Sequence, residues 1–327
     1  MKITVLGSGG WGTALAILSN DCSHQTVIWG KFPQEIENIK RTGENPLLKG
    51  VKIPKEILLT SDNEQIRNSD IVIIATPSFA VKETAEMLKD YINDNTIVVS
   101  VAKGFEKNTL LRFSQIVSQS LPNNPVVALS GPSHAEEVGR KIPTSIVSAS
   151  EDIKAAKTIQ EALSNDYFRI YTNTDVIGVE TGAALKNIIA VAAGIIVGLK
   201  LGDNSIAALI TRGINEMSKL GVAMGAKAQT FAGLSGIGDL VVTCTSAHSR
   251  NRSFGKLVGE GVDVATAREK VGTVEGYFAC GCAKKLSEKY GVEMPIVNEC
   301  YKVLYENMNV KDTVKNLMTR DRKQEIF

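Results

Sequence analysis

Seven short apolar runs punctuate the first half of the chain, at residues 3–6, 26–29, 71–75, 97–101, 126–129, 144–147 and 168–171. They are rich in Val and Ile and do not alternate with polar residues, the pattern of strands covered on both faces. Residues 11–18, 80–88, 110–120 and 153–163 lie between them and read as helices. Strand alternating with helix predicts an α/β architecture, a doubly wound parallel sheet with right-handed crossovers. The texture changes at Thr172-Asn173-Thr174-Asp175, where Thr174 or Asp175 suits a helix N-cap. Only helical runs divided by glycines follow. The pattern predicts two domains, residues 1–175 and residues 176–327, the second all-helical.

The 327-residue length suits that division. With 37 Lys and Arg against 35 Asp and Glu, the net charge of +2 argues against a nucleic acid or an anionic membrane as the main partner. Aromatic residues are only 6%, few platforms for stacking bases. The longest apolar run, residues 188–199, contains Gly194 and Gly198 and falls short of the ~20 residues a membrane span needs. No stable membrane insertion is expected. Met1 and Lys2 precede only four apolar-leaning residues before Gly7, far less than a signal-peptide core. Five scattered cysteines argue against a disulfide framework, which fits a reduced cytoplasmic compartment.

The sharpest chemical signal is Gly7-Ser8-Gly9-Gly10-Trp11-Gly12, directly after the first strand and opening a helix. In that context Gly7 allows a tight turn, Gly9 lets backbone approach a pyrophosphate, and Gly12 lets helix pack on strand. The helix N-terminus then faces the phosphates. The ribose of such a dinucleotide is read about 20 residues later. There the chain has Lys31 rather than a carboxylate, a lean towards NADP, while Glu35 keeps NAD open.

Lys103-Gly104, Thr76-Pro77-Ser78 and Gly131-Pro132-Ser133-His134 follow predicted strands, the end that borders the ligand crevice in an open parallel sheet. His134 reads better as a structural loop residue than as a base, because nothing in the sequence places a partner for it. In the second half, residues 176–199 are almost wholly apolar or small apart from Glu180-Thr181 and the doublet Lys186-Asn187. The residues alone fit two readings: a dehydrated lysine usable as a proton donor, or one whose head snorkels to water. Residues 233–240 read as a glycine-rich loop delivering Asp239. Ser249, Arg250 and Asn251 bundle donors suited to a phosphate monoester, or else open a polar helix. No Tyr-x-x-x-Lys pair and no zinc spacing occurs, so proton transfer falls to lysine, histidine or a carboxylate and no metal is expected.

Ordered blocks along nearly the whole chain resemble the NAD(P)-dependent glycerol-3-phosphate dehydrogenases of bacterial type. They are residues 7–14 (GSGGWGTA), 75–78 (ATPS), 102–104 (AKG), 129–138 (LSGPSHAEEV), 180–187 (ETGAALKN), 207–216 (AALITRGINE), 233–239 and 241–252 (VVTCTSAHSRNR). Val274-Glu275-Gly276 and Glu293-Met294-Pro295 extend the likeness. The resemblance implies a Rossmann-like N-terminal domain and an all-α C-terminal domain of 6-phosphogluconate-dehydrogenase type. It implies interconversion of dihydroxyacetone phosphate and sn-glycerol 3-phosphate, the entry to glycerophospholipid backbones, and it suggests a homodimer. By position Lys186 resembles the family's catalytic lysine. Lys103, Gly131, Ser133, Lys186, Asp239, Ser249, Arg250 and Asn251 match its substrate contacts. Gly10, Trp11, Lys31, Lys103, Ala135, Arg250 and Glu275 match its cofactor contacts, beside Gly7, Gly9 and Gly12 of the turn. Four features depart from the family pattern: Gly10 where serine is frequent, Lys31 where arginine or histidine is, a shortened loop at residues 45–50, and an atypical Phe278-Ala279-Cys280. A reductase of another small phosphorylated or carboxylated keto compound is the rival expectation on the same two-domain plan.

Overall fold

The computed structural model describes residues 1–322, 324 and 325, and the chain divides into two compact units. The first comprises Met1–Glu106 and Leu111–Val176. The second takes the described residues from Ile177 onward together with Lys107–Leu110. The division thus differs from a single cut near residue 175 by that four-residue excursion.

The first unit is built on eight strands: β1 (Lys2–Leu6), β2 (Gln25–Trp29), β3 (Leu58–Thr60), β4 (Ile71–Ile74), β5 (Ile97–Ser100), β6 (Val126–Ser130), β7 (Thr144–Ala149) and β8 (Phe168–Asn173). Its helices are α1 (Gly10–Asp21), α2 (Pro33–Thr42), α3 (Val81–Leu88), α4 (Phe113–Ser120), α5 (Ala135–Gly139) and α6 (Ile153–Leu163). The sheet order is β3-β2-β1-β4-β5-β6-β7-β8, so the direction of winding reverses between β1 and β4. Such a reversal opens a crevice at the carboxyl ends of the two strands. Successive strand residues feed opposite faces. Ile71, Ile73 and Val99 join Ala14, Leu15 and Ile159 in one core layer, whereas Val72, Ile74 and Val98 join Val81, Phe113 and Val117 in the other.

Three features differ from the sequence expectation. The edge strand β3 is only three residues long and incompletely buried, and its short run Ile57-Leu58-Leu59 lacks the Val that marks most of the other strands. The helix expected over 110–120 begins at Phe113, because Leu110 adopts a left-handed φ of 61° that no helix continues. Finally, β7 runs antiparallel to β6. The connection, residues 131–143, holds only the five-residue α5, and a helix that short rises about 7.5 Å, less than the length of the strand it would have to run back along for a parallel return.

The second unit is helical: α7 (Val176–Gly198), α8 (Asp203–Ala223), α9 (Ala228–Phe231), α10 (Asp239–Thr245), α11 (Arg250–Gly259), α12 (Val264–Val271), α13 (Glu275–Tyr290), α14 (Pro295–Glu306) and α15 (Val310–Met318). At 23 residues α7 is one unbroken helix, long and apolar enough to cross a membrane, so the expectation of a run too short to span fails on length. Its burial decides the matter differently: 78% of its most apolar window is buried, as in a core helix. Gly194 and Gly198 do not interrupt α7; they let α11 approach it. An added Cβ would lie 2.1 Å from the Arg252 carbonyl oxygen at Gly194 and 2.4 Å from that of Lys256 at Gly198. Gly255 and Gly259 of α11 return the contact, 2.0 Å and 2.5 Å from the Val191 and Ile195 oxygens. The two helices meet backbone to backbone, and this brings the first turn of α11 beside Asn187.

Candidate active site

In the first unit the glycine turn is shaped by close approach. Gly7 has φ +123°, and a Cβ there would stand 2.6 Å from the Ala75 carbonyl oxygen. A Cβ on Gly12 would stand 2.2 Å from the Gly7 oxygen. Gly9 faces open space, with nothing within 4 Å of its missing side chain. It also occupies the N-cap of α1 without any side-chain cap. An uncapped helix start with open space beside it presents unsatisfied N–H donors to an anion. This chain's own turn therefore fits the pyrophosphate of a dinucleotide. Trp11, in the first turn of α1, is half-buried against the core.

Gly10 and the loop at 45–50 depart from the family pattern together, and the geometry links them. The buried Asn45 donates to the Ser8 carbonyl oxygen and to Thr13 Oγ1, both at 2.7 Å, and accepts from the Leu47 N–H at 2.9 Å. The loop so strapped sets the Leu47 oxygen 2.7 Å from where a Cβ on Gly10 would be. A glycine is what this shortened loop leaves room for.

At the end of β2, Lys31 pairs with Glu83 at 2.7 Å, both side chains well exposed. Glu35 lies nearer the glycine turn and accepts from Ser8 Oγ at 3.3 Å. Lys103 Nζ and Ser133 Oγ both donate to the Gly131 carbonyl oxygen, at 3.2 Å and 3.1 Å. These three predicted substrate contacts are thus neighbours. Ala135 begins α5, with His134 as its N-cap residue.

In the second unit Lys186 is only 5% exposed and Asp239 1%. The lysine Nζ donates to Asp239 Oδ1 at 2.5 Å and to Thr243 Oγ1 at 2.8 Å. Thr243 in turn donates to the Asp239 backbone oxygen at 2.6 Å, one helical turn earlier in α10. The Lys186 side chain is therefore held inside, with its counter-charge beside it, rather than snorkelling. A π-helical turn at Leu234–Gly238 leads into α10, and its tight course needs glycine: a Cβ on Gly236 would meet the Phe231 oxygen at 2.1 Å. Burial pushes the neighbouring Cys244 thiol up to about 12, against the pull of Lys186 and Arg252, so it stays a neutral wall.

At the start of α11, Ser249 accepts from the Arg252 N–H at 3.2 Å as the N-cap. Asn251 accepts from the Gly276 N–H at 2.8 Å and donates to Asn187 Oδ1 at 3.0 Å. Its amide orientation is thereby fixed, with one N–H left for another acceptor. Arg250 is exposed, and Glu275 is the first residue of α13. Lys186, Asp239 and Asn251 thus belong to hydrogen-bonded groups within this unit. Thr243 and Asn187 were not singled out as site residues in the sequence. The spacing of Thr243, four after Asp239 on one helix, was the available signal; for Asn187 it was adjacency to Lys186.

Comparison with known proteins agrees with this layout. Residues 2–156 match the family described as the NAD-dependent glycerol-3-phosphate dehydrogenase N-terminus, and residues 175–315 match its C-terminus. A protein of Thermoanaerobacter sp. (strain X514) named glycerol-3-phosphate dehydrogenase [NAD(P)+] is 49% identical, with 100% of this chain and 99% of that one covered. One of the same name from Agathobacter rectalis is 46% identical over 99% and 97%. The solved glycerol-3-phosphate dehydrogenase of Coxiella burnetii superposes with a TM-score of 0.93 at 36% identity, covering 98% of this chain and 99% of that one. With both halves matched and full-length relatives near one-half identity, the chain belongs to the NAD-dependent glycerol-3-phosphate dehydrogenase family.

Proposed function

We propose that Lys186 is the proton donor of this NAD(P)-dependent oxidoreductase as it reduces dihydroxyacetone phosphate to sn-glycerol 3-phosphate. The buried Lys186–Asp239–Thr243 group carries the reading. Bound NAD(P)H supplies the hydride that reaches the ketone carbon. As that carbon is reduced, negative charge grows on the ketone oxygen. The Lys186 ammonium stabilises this charge and gives the oxygen one of its protons. Asp239 provides the counter-charge that lets a cation rest out of bulk water. Thr243, anchored on the Asp239 backbone, fixes the direction of the amine.

Arg250 and the oriented Asn251 hold the substrate phosphate, with Ser249 beside them, so that binding energy remote from the carbonyl serves orientation. Lys103, Gly131 and Ser133 are proposed as further substrate contacts on the strength of the resemblance. The cofactor is held by Gly7, Gly9, Gly10, Trp11 and Gly12, with Lys31, Lys103, Ala135, Arg250 and Glu275 assigned in the same way. The positive charge of Lys31 supports a preference for NADP, tempered by Glu83 and by the carboxylate of Glu35. A cytoplasmic homodimer supplying glycerophospholipid synthesis completes the reading, supported by the resemblance and by the free state of all five cysteines.

Two measurements test it. Lys186→Ala loses on the order of 10²–10⁴ in kcat while cofactor affinity is kept, and near-normal turnover in a folded variant would refute the assignment. A comparison of initial rates with NADPH and NADH, using dihydroxyacetone phosphate against other small keto phosphates and keto acids, gives preference to NADPH and to dihydroxyacetone phosphate. A better keto acid substrate would favour the rival reductase.

A further inference from the structure

The second unit carries a cavity of about 520 Å³ bordered by α7, α8, α14 and α15. That volume lies in the range of ligand pockets, commonly about 300–1,000 Å³. Neither Lys186 nor Asp239 lines it. Its wall is mainly aliphatic: Ile195 of α7, Leu209 of α8, Ile296 and Val303 of α14, and Leu317 of α15. Its polar groups are unevenly satisfied. Glu293 pairs with Arg320, and Glu299 with Lys302 and Asn316. Glu216 accepts from the Ile296 and Val297 N–H groups, which turns its carboxylate towards the start of α14.

The donors of α8 are different. Asn215 is only 9% exposed, lines the cavity, and its side chain makes no hydrogen bond among the described residues. Its amide reaches the cavity space with donor capacity that a bound acceptor would satisfy. Arg212 and Lys219 stand one turn to either side of it on the same helical face. Neither forms a hydrogen bond or ion pair among the described residues. Arg212 also falls in the block at residues 207–216, for which the reaction provides no role.

We propose that this cavity binds a small amphipathic carboxylate, its alkyl chain against the aliphatic wall and its head group on Arg212 and Asn215. The planar guanidinium matches a carboxylate with two parallel bonds, and Asn215 adds an amide donor from below. Lys219 contributes charge at the rim. With Asn215 nearly buried and Arg212 exposed beside it, the donors reach a small head group entering the cavity rather than the broad side of a helix from a second copy.

Calorimetric titration of the full chain with decanoate tests the proposal, with decan-1-ol as the headless control. Saturable one-to-one binding of decanoate is expected, and about tenfold or weaker binding of the alcohol. Arg212→Gln and Asn215→Leu are each expected to weaken decanoate by about tenfold. Ala208→Trp, which fills the cavity without removing a donor, is expected to abolish binding. On the unaltered protein, a diazirine-bearing decanoate is expected to label α8, α14 or α15, a result independent of how the variants fold. The proposal is overturned by absence of saturable binding, by equal affinity for the alcohol, or by labelling confined elsewhere. It is equally overturned if sedimentation shows Ala208→Trp splitting a dimer that binds no decanoate, for the groove is then an interface between copies.

Discussion

At the scale of single residues, the chemistry rests on how buried charge is answered. Lys186 is matched by one carboxylate and one hydroxyl, each within 2.8 Å. Glu216 has no such cation in hydrogen-bond contact. Burial raises its carboxyl to about 7, opposed by two backbone N–H groups and by the more distant Arg320 and Arg212. Its folded-state value thus exceeds that of the unfolded chain, and the folded protein binds the proton more tightly. Stability therefore falls as pH rises from about 4.5 towards 7 and levels off above that, by on the order of 3 kcal/mol. Denaturant melts across that window are expected to show this slope, and Glu216→Gln is expected to flatten it.

Gly10 is the second residue-scale case. Its absent side chain would press on a backbone oxygen, which yields less easily than a flexible side chain. Gly10→Ser, the residue frequent in the family, is therefore expected to destabilise this chain by about 1–3 kcal/mol. Chemical denaturation measures it. Removing the strap in the same protein, as Gly10→Ser with Asn45→Ala, is expected to show a cost smaller than the sum of the two single changes.

At the scale of elements, the pairing of α7 with α11 determines where the residues proposed to bind phosphate stand. Four glycines let the two backbones touch, and the first turn of α11 lands on Asn187. Gly255→Ala puts a methyl group 2.0 Å from the Val191 oxygen, so the helices must separate. A loss of about 1–3 kcal/mol in stability is expected, together with a raised KM for dihydroxyacetone phosphate as Asn251 leaves its partner. Thermal melts and initial-rate kinetics read the two effects separately. Helical periodicity made α7 legible in outline, but Gly194 and Gly198 read as interruptions because a glycine's partner cannot be seen along its own helix.

At the scale of the whole molecule, the proposed cofactor turn and the proposed proton donor fall in different units. The glycine turn belongs entirely to the first, and the Lys186 group entirely to the second. Saturating NADPH, at a hundred times its Kd, is expected to stabilise the protein by about 2.7 kcal/mol. A thermal shift of the same size is expected in Lys186→Ala, because the glycine turn proposed to hold the cofactor does not depend on that amine. A shift lost in the variant would show that the lysine serves binding instead of proton transfer.

What the amino-acid order determined by itself was whatever local pattern encodes. Seven of the eight strands stood out as apolar runs, the tight turn at residues 7–12 as glycines between strand and helix, and Lys186 as a lone cation in a greasy stretch. Only tertiary structure decided the antiparallel turn of β7, the meeting of Thr243 with a lysine 57 residues away, the clamp of Asn251 between Asn187 and Gly276, and the loop that excludes a side chain at Gly10. The reason is physical. Periodicity reports which side of an element is buried, whereas the partner on that side depends on how distant segments pack, and no local pattern carries that choice.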